Sequence, residues 1–221
     1  MSHEWRWTLG KMQNPVRGML HGTAALFAIV ATVFLVIRAP SAPSRIAVAI
    51  FGLAMVGLYT TSSLYHSVPW SAVWKHRMQR LDHSMIFVLI AGTYTPMAII
   101  ALDGTWRWAS MAVAWGLVAI GIIQHVVFPR ESQALSIALS MTLGWLGIFI
   151  IIPVAQAAGL GPVLFAMAGG IVYTVGMLFM VTGRPQMWPR VFSSHELFHV
   201  FVIAGSALHF VMHWRYIIPL A

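Results

Sequence analysis

The chain has no cysteine and very little charge. Without cysteine there is no disulfide framework and no thiolate ligand, so any metal must be held by histidine or carboxylate groups. Charged residues make up 8% of the 221 positions, against about 25% in a soluble globular chain. Only five residues are acidic, and 59% are hydrophobic. A chain this short cannot hide so much apolar surface in one core, so its surroundings must be lipid. In lipid every backbone polar group must be satisfied within the protein, which leaves helices or a closed barrel. The apolar runs lack period-two alternation, and that excludes the barrel.

What is present is a series of long apolar segments. Seven can be drawn, at Arg17–Arg38, Ala47–His66, Leu81–Leu102, Trp106–Phe128, Gln133–Ile152, Gly161–Thr182 and Ser193–Pro219. Each is near the ~20 residues that a bilayer requires. The expected fold is therefore all-α, a seven-helix transmembrane bundle forming a single domain over residues 1–221. Proline, glycine, serine or charge marks the breaks, as at Ala39–Pro43, Asp103–Gly104, Phe128–Glu131 and Gly183–Pro185. The fifth break, Ala155–Gly161, is only mildly polar, so six helices plus a re-entrant piece is the alternative. The basic start of the chain could mimic a signal peptide, but its apolar run reaches Ile37 with no small-residue cleavage site directly after it. A retained first helix is expected.

The formal charge of +8 is spread through connecting loops. It has no aromatic-interleaved basic face, so no nucleic-acid partner is expected. The basic residues instead set orientation. With the N-terminus inside, the cytoplasmic side holds Arg6, Lys11, Arg17, Lys75, Arg77, Arg80, Arg130, Arg184 and Arg190. The opposite side holds Arg38, Arg45, Arg107 and Arg215. The excess favours a cytoplasmic N-terminus and an outside C-terminus. Tryptophans such as Trp70, Trp74, Trp106, Trp108, Trp188 and Trp214 flank the helix ends, as an interfacial belt would.

Ionisable groups inside spanning helices are costly, so each is a functional hypothesis. The second helix ends Ser62-Ser63-Leu64-Tyr65-His66, and the third begins Leu81-Asp82-His83-Ser84. The seventh begins Ser194-His195-Glu196-Leu197-Phe198-His199. His195 and His199 are four apart and share a helix face, as do Ser62 and His66. Alternating topology puts all of these groups at one depth, the cytoplasmic end. Three histidines with one open position describe a catalytic-type zinc site, with Asp82 and Ser62 placed to orient or activate a bound water.

His195-Glu196-x-x-His199 also spells the zinc-protease signature, in which the glutamate is general base. Glu196 is alternatively a surface carboxylate favoured by the helix dipole. His209 and His213, two turns and more further along, are expected to be packed polar contacts. His21 and His125 lie within reach of the inner layer, and His76 falls in the basic loop after the second helix.

Together these residues resemble the hemolysin III proteins, the bacterial branch of the progestin and adipoQ receptor family that includes the adiponectin receptors. The trailing Gly205-Ser206-x-x-His209-Phe210 fits as well. The resemblance implies seven helices with the N-terminus inside, and zinc bound by His66, His195 and His199. It also implies that Ser62 and Asp82 contact or approach the zinc-bound water. It implies a zinc-dependent, ceramidase-like hydrolase of lipid amides or esters in the bacterial inner membrane, with a membrane lipid as substrate or ligand and a part in lipid homeostasis. A receptor or sensor with structural zinc, a pore-forming or haemolytic protein and an intramembrane zinc protease are the other readings. The family pattern is departed from at two places: Arg17 and Leu20 stand where many relatives carry an Asn and a Thr before His21, and Glu196 is often another residue.

Overall fold

A computed structural model describes residues 12–127, 133–188 and 191–221. Among them seven helices are long and apolar enough to cross a membrane: Pro15–Arg38, Ala42–Ser67, Ala72–Ala101, Gly104–His125, Ala134–Ala158, Leu160–Thr182 and Ser194–Leu220. The protein is a multi-pass, all-helical membrane protein. Of the residues used for orientation, Arg6, Lys11, Arg130 and Arg190 lie outside the described residues, as does the Phe128–Glu131 break.

Several boundaries differ from the sequence reading, for identifiable reasons. The second span starts at Ala42 because Ser41 and Ser44 form a capping box around its first turn. The third starts at Ala72, so Lys75, His76, Arg77 and Arg80 are helical and not a loop. Hydropathy ends at Leu81, but Lys, Arg, Met and Gln are good helix formers and carry the helix further back. The fifth span is one crossing, and the re-entrant alternative fails. It ends at Gly159, whose φ of +76° suits only glycine. Within it Leu146–Ile150 tighten to a 3-10 turn just before Pro153, whose ring cannot accommodate the carbonyl four residues back. The third and seventh spans relax into π turns at Met97–Ala101 and His213–Ile217, beside Pro96 and Pro219.

Small residues let the helices approach. Gly18 and Gly22 of the first span face Ser67 and Ser63 of the second, and the Ser63 hydroxyl donates to the Gly18 carbonyl at 2.8 Å. The amides of Gln13 and Asn14 bond the carbonyls of Ser67 and His66, satisfying groups that the end of the second span leaves open. The outer surface stays apolar, with Phe27, Ile37, Phe149, Ile152 and Leu160 all exposed. In lipid that exposure is favourable.

The sixth and seventh spans interlock. A methyl group on Gly169 would overlap the His209 ring, and one on Gly205 would press on Tyr173. Gly169→Ala is therefore expected to destabilise the protein by about 1–3 kcal/mol, read as a lowered thermal midpoint in detergent. Gly170, with open space beside it, is the control: Gly170→Ala should leave the midpoint unchanged or raised.

Candidate metal centre

The second span delivers His66 on its last turn, and the seventh delivers His195 and His199 on its first two. The spans run antiparallel, so these ends meet. One potential ligand atom from each of the three rings lies within 4.8 Å of the others. Ring centroids are 5.2 Å apart for His66 and His195, 5.0 Å for His66 and His199, and 5.0 Å for His195 and His199. His66 and His199 are buried and His195 half-buried.

These residues fit a metal ion. Three imidazoles with no carboxylate among them form a donor set suited to zinc. The buried Nδ1 of His199 has no hydrogen-bond partner among the described residues, a costly state for a polar atom unless something else engages the ring.

Around the trio sit the other expected residues. Ser62 and Asp82 are buried, and the Ser62 hydroxyl lies beside the Asp82 carboxyl group. Both line a cavity of about 440 Å³ that His66, His195 and His199 also line. The volume is in the range of ligand pockets. The cavity follows the seventh span from His195 to His209, about 21 Å at 1.5 Å per residue. Its wall beyond the histidines is chiefly apolar, with Met97, Met141, Met167, Met177 and Met180 contributing flexible side chains.

Glu196 behaves otherwise than as a surface carboxylate. It is buried, its Oε1 accepts from Arg17 Nε at 2.6 Å, and its Oε2 accepts from the Ser193 amide at 2.8 Å and from the Ser193 hydroxyl. It is not among the residues lining the cavity. Arg17, an apparent departure from the family pattern, is thus the partner of Glu196, the other departure.

Sequence reasoning missed this pair. It also left open how near His21 comes: the ring stacks on His199, with centroids 3.9 Å apart and planes 25° apart. The available signal was spacing, because Arg17 and His21 are four apart on one helix face. His125 instead lies by His83 and Ser136. His209 contacts Tyr173 and the Ala166 carbonyl. His213 meets the edge of Phe51, and His76 is exposed.

The fold and site define a seven-span membrane protein with a three-histidine centre at one end of an apolar cavity. Residues 10–210 match the family model described as haemolysin-III related, and the chain belongs to that family. It is 35% identical to Hemolysin-3 of Bacillus cereus over 204 residues, covering 91% of this chain and 90% of that protein. It is 37% identical to the Hemolysin-3 homolog of Bacillus subtilis (strain 168) over 194 residues, covering 86% and 87%. A more distant relative is the human Monocyte to macrophage differentiation factor, 22% identical over 176 residues, covering 76% and 69%. That likeness joins the bacterial hemolysins to the progestin and adipoQ receptor family.

The ion pair generates a test. Removing one partner of a buried pair leaves an uncompensated charge and costs about 3–5 kcal/mol. Arg17→Ala should lower stability by that order in chemical unfolding of the purified protein. The double variant Arg17→Met, Glu196→Leu should recover most of the loss, and equal effects of the single and double variants would contradict the pairing.

Proposed function

We propose that this protein is a zinc-dependent hydrolase of membrane lipid amides or esters, ceramidase-like, in a bacterial plasma membrane with its N-terminus in the cytoplasm. The observation that carries this reading is the position of the three histidines. They stand at the end of an apolar, methionine-rich cavity long enough to take an acyl chain.

His66, His195 and His199 are the residues that would hold zinc. When bound, zinc polarises a carbonyl oxygen and makes water acidic enough to attack near neutral pH. The protein's own contribution is placement. Asp82 is the cavity-lining carboxylate beside this centre, and its role is to take a proton from the nucleophile and return it to the leaving group. The Ser62 hydroxyl holds that carboxyl group in one orientation. The apolar wall binds the lipid chain and keeps bulk water from the reacting carbonyl. Glu196, held by Arg17 and Ser193, is already engaged away from the cavity. That favours Asp82 over Glu196 as the base, and lipid hydrolysis over proteolysis.

Purified protein is expected to contain about one zinc per chain, lost in His66→Ala and in His195→Ala. An unchanged zinc content in His66→Ala would sink the assignment. Asp82→Asn should keep the metal and lose activity on a ceramide or acyl-amide substrate by about 10²–10⁴-fold, the usual worth of a general base. Glu196→Gln should not abolish that activity.

A further inference from the structure

The third span is longer than the bilayer needs. Its 30 residues, Ala72–Ala101, extend about 45 Å at 1.5 Å each, against a hydrocarbon core of about 30 Å. The excess lies at its N-terminal end. Residues 71–77 are all exposed, and they carry Lys75, His76 and Arg77, with Arg80 one turn further on. This end lies on the side of the metal centre, because the short link from Ser67 to Ala72 joins it to the turn that bears His66.

The segment is aromatic as well as basic. The Arg77 guanidinium sits 5.0 Å from the centroid of the Trp74 ring, and Trp70 lies 6.5 Å from Trp74. The Trp70 indole donates to the Leu64 carbonyl at 3.0 Å, which ties this end of the third span to the second. Among the described residues no carboxylate pairs with Lys75 or Arg77. Asp103 is bonded to Arg107, Glu196 to Arg17, and Asp82 faces the cavity.

Lys75, Gln79, Asp82 and Ile86 follow one another at spacings of four, three and four, the stripe of a single helix face. Gln79, Asp82 and Ile86 line the cavity. Lys75 therefore continues this helix face outward from Gln79, the residue nearest the start of the span that lines the cavity. It stands seven residues before Asp82, about 10 Å along the helix.

We propose that the exposed N-terminal two turns of the third span are a binding arm for anionic phospholipid headgroups. Lys75 and Arg77 supply the charge and Trp74 the interfacial anchor, and a lipid held there lies at the mouth of the metal-centred cavity. Unpaired basic side chains at a membrane surface attract anionic lipids, and tryptophan settles at headgroup level. As a route for substrate, the arm rests on the hydrolase reading, and it then selects anionic lipids for the cavity. As a binding site it stands independently.

The test is a competition. Detergent-purified protein is offered equal phosphatidylglycerol and phosphatidylcholine, and the retained lipids are counted by native mass spectrometry. Wild-type protein is expected to prefer phosphatidylglycerol. Each basic residue near an anionic surface is worth about fivefold, so Lys75→Gln with Arg77→Gln should cut the preference about 25-fold. Lys75→Arg with Arg77→Lys should retain it. His66→Ala should also retain it, so failure of the hydrolase reading and failure of the arm are seen separately. Equal retention of both lipids by wild type, or an unchanged preference in the double Gln variant, overturns the proposal. So does displacement of phosphatidylglycerol by millimolar inorganic phosphate, which would make the site one for free anions.

Discussion

The first and last spans meet at one buried ion pair, and the three-histidine centre stands beside it. Arg17 and Glu196 are 179 residues apart in sequence and 2.6 Å apart in space. A charge-assisted bond of this length is strong and directional. Glu196 also caps the helix that bears it, by accepting from the Ser193 amide. One carboxylate thus sets where the seventh span begins and which way its first turn faces. His195 is the residue just before Glu196, and His199 follows His195 one turn later on the same side. The same first span brings His21, one turn after Arg17, to stack on His199. The position of the clustered histidines depends on a contact made by neighbours outside the cluster.

The cost of polar groups in lipid explains the rest of the layout. Ionisable residues are tolerated within spans only when they face one another or a cavity. His21, His66, His199, Asp82, Arg17 and Glu196 are all buried, and they cluster where the first, second, third and seventh spans converge. The fourth, fifth and sixth spans bury a smaller share of their apolar windows, and the fifth and sixth supply chiefly apolar wall to the cavity. Two unlike halves result. One is polar and closely interlocked around the histidines, and the other offers methionine, isoleucine and small residues to the cavity.

Much of this was legible in the sequence, because the signals are local and periodic. The crossings follow from uninterrupted apolar runs. The convergence of His66 with His195 and His199 follows from alternating topology, once each residue is placed at a helix end. The missed features are non-local or run against the signal used. The third span's extension to Ala72 has no hydropathy signal, because hydropathy measures lipid exposure and a helix can continue into water on propensity alone. The cavity was invisible because an apolar residue facing a void and one facing lipid look alike in sequence. Arg17 was noted only as an orientation charge and a departure from the family pattern, since nothing within its own helix requires a carboxylate.

The glutamate of His195-Glu196-x-x-His199 shows how far a short motif can be read. Spacing alone guarantees that the two histidines share a face, whatever surrounds them. It guarantees nothing about the glutamate, which lies a further 100° round the helix and meets whatever the neighbouring span presents. In this chain the neighbour is Arg17. The carboxylate is held by a guanidinium on one oxygen and by a helix cap on the other, and the carboxyl group facing the cavity comes from Asp82 on a different span. The five-residue motif therefore supplies two of the three clustered histidines and a structural brace. The candidate base of the proposed reaction is recruited from the third span, where it lies beside Ser62 of the second.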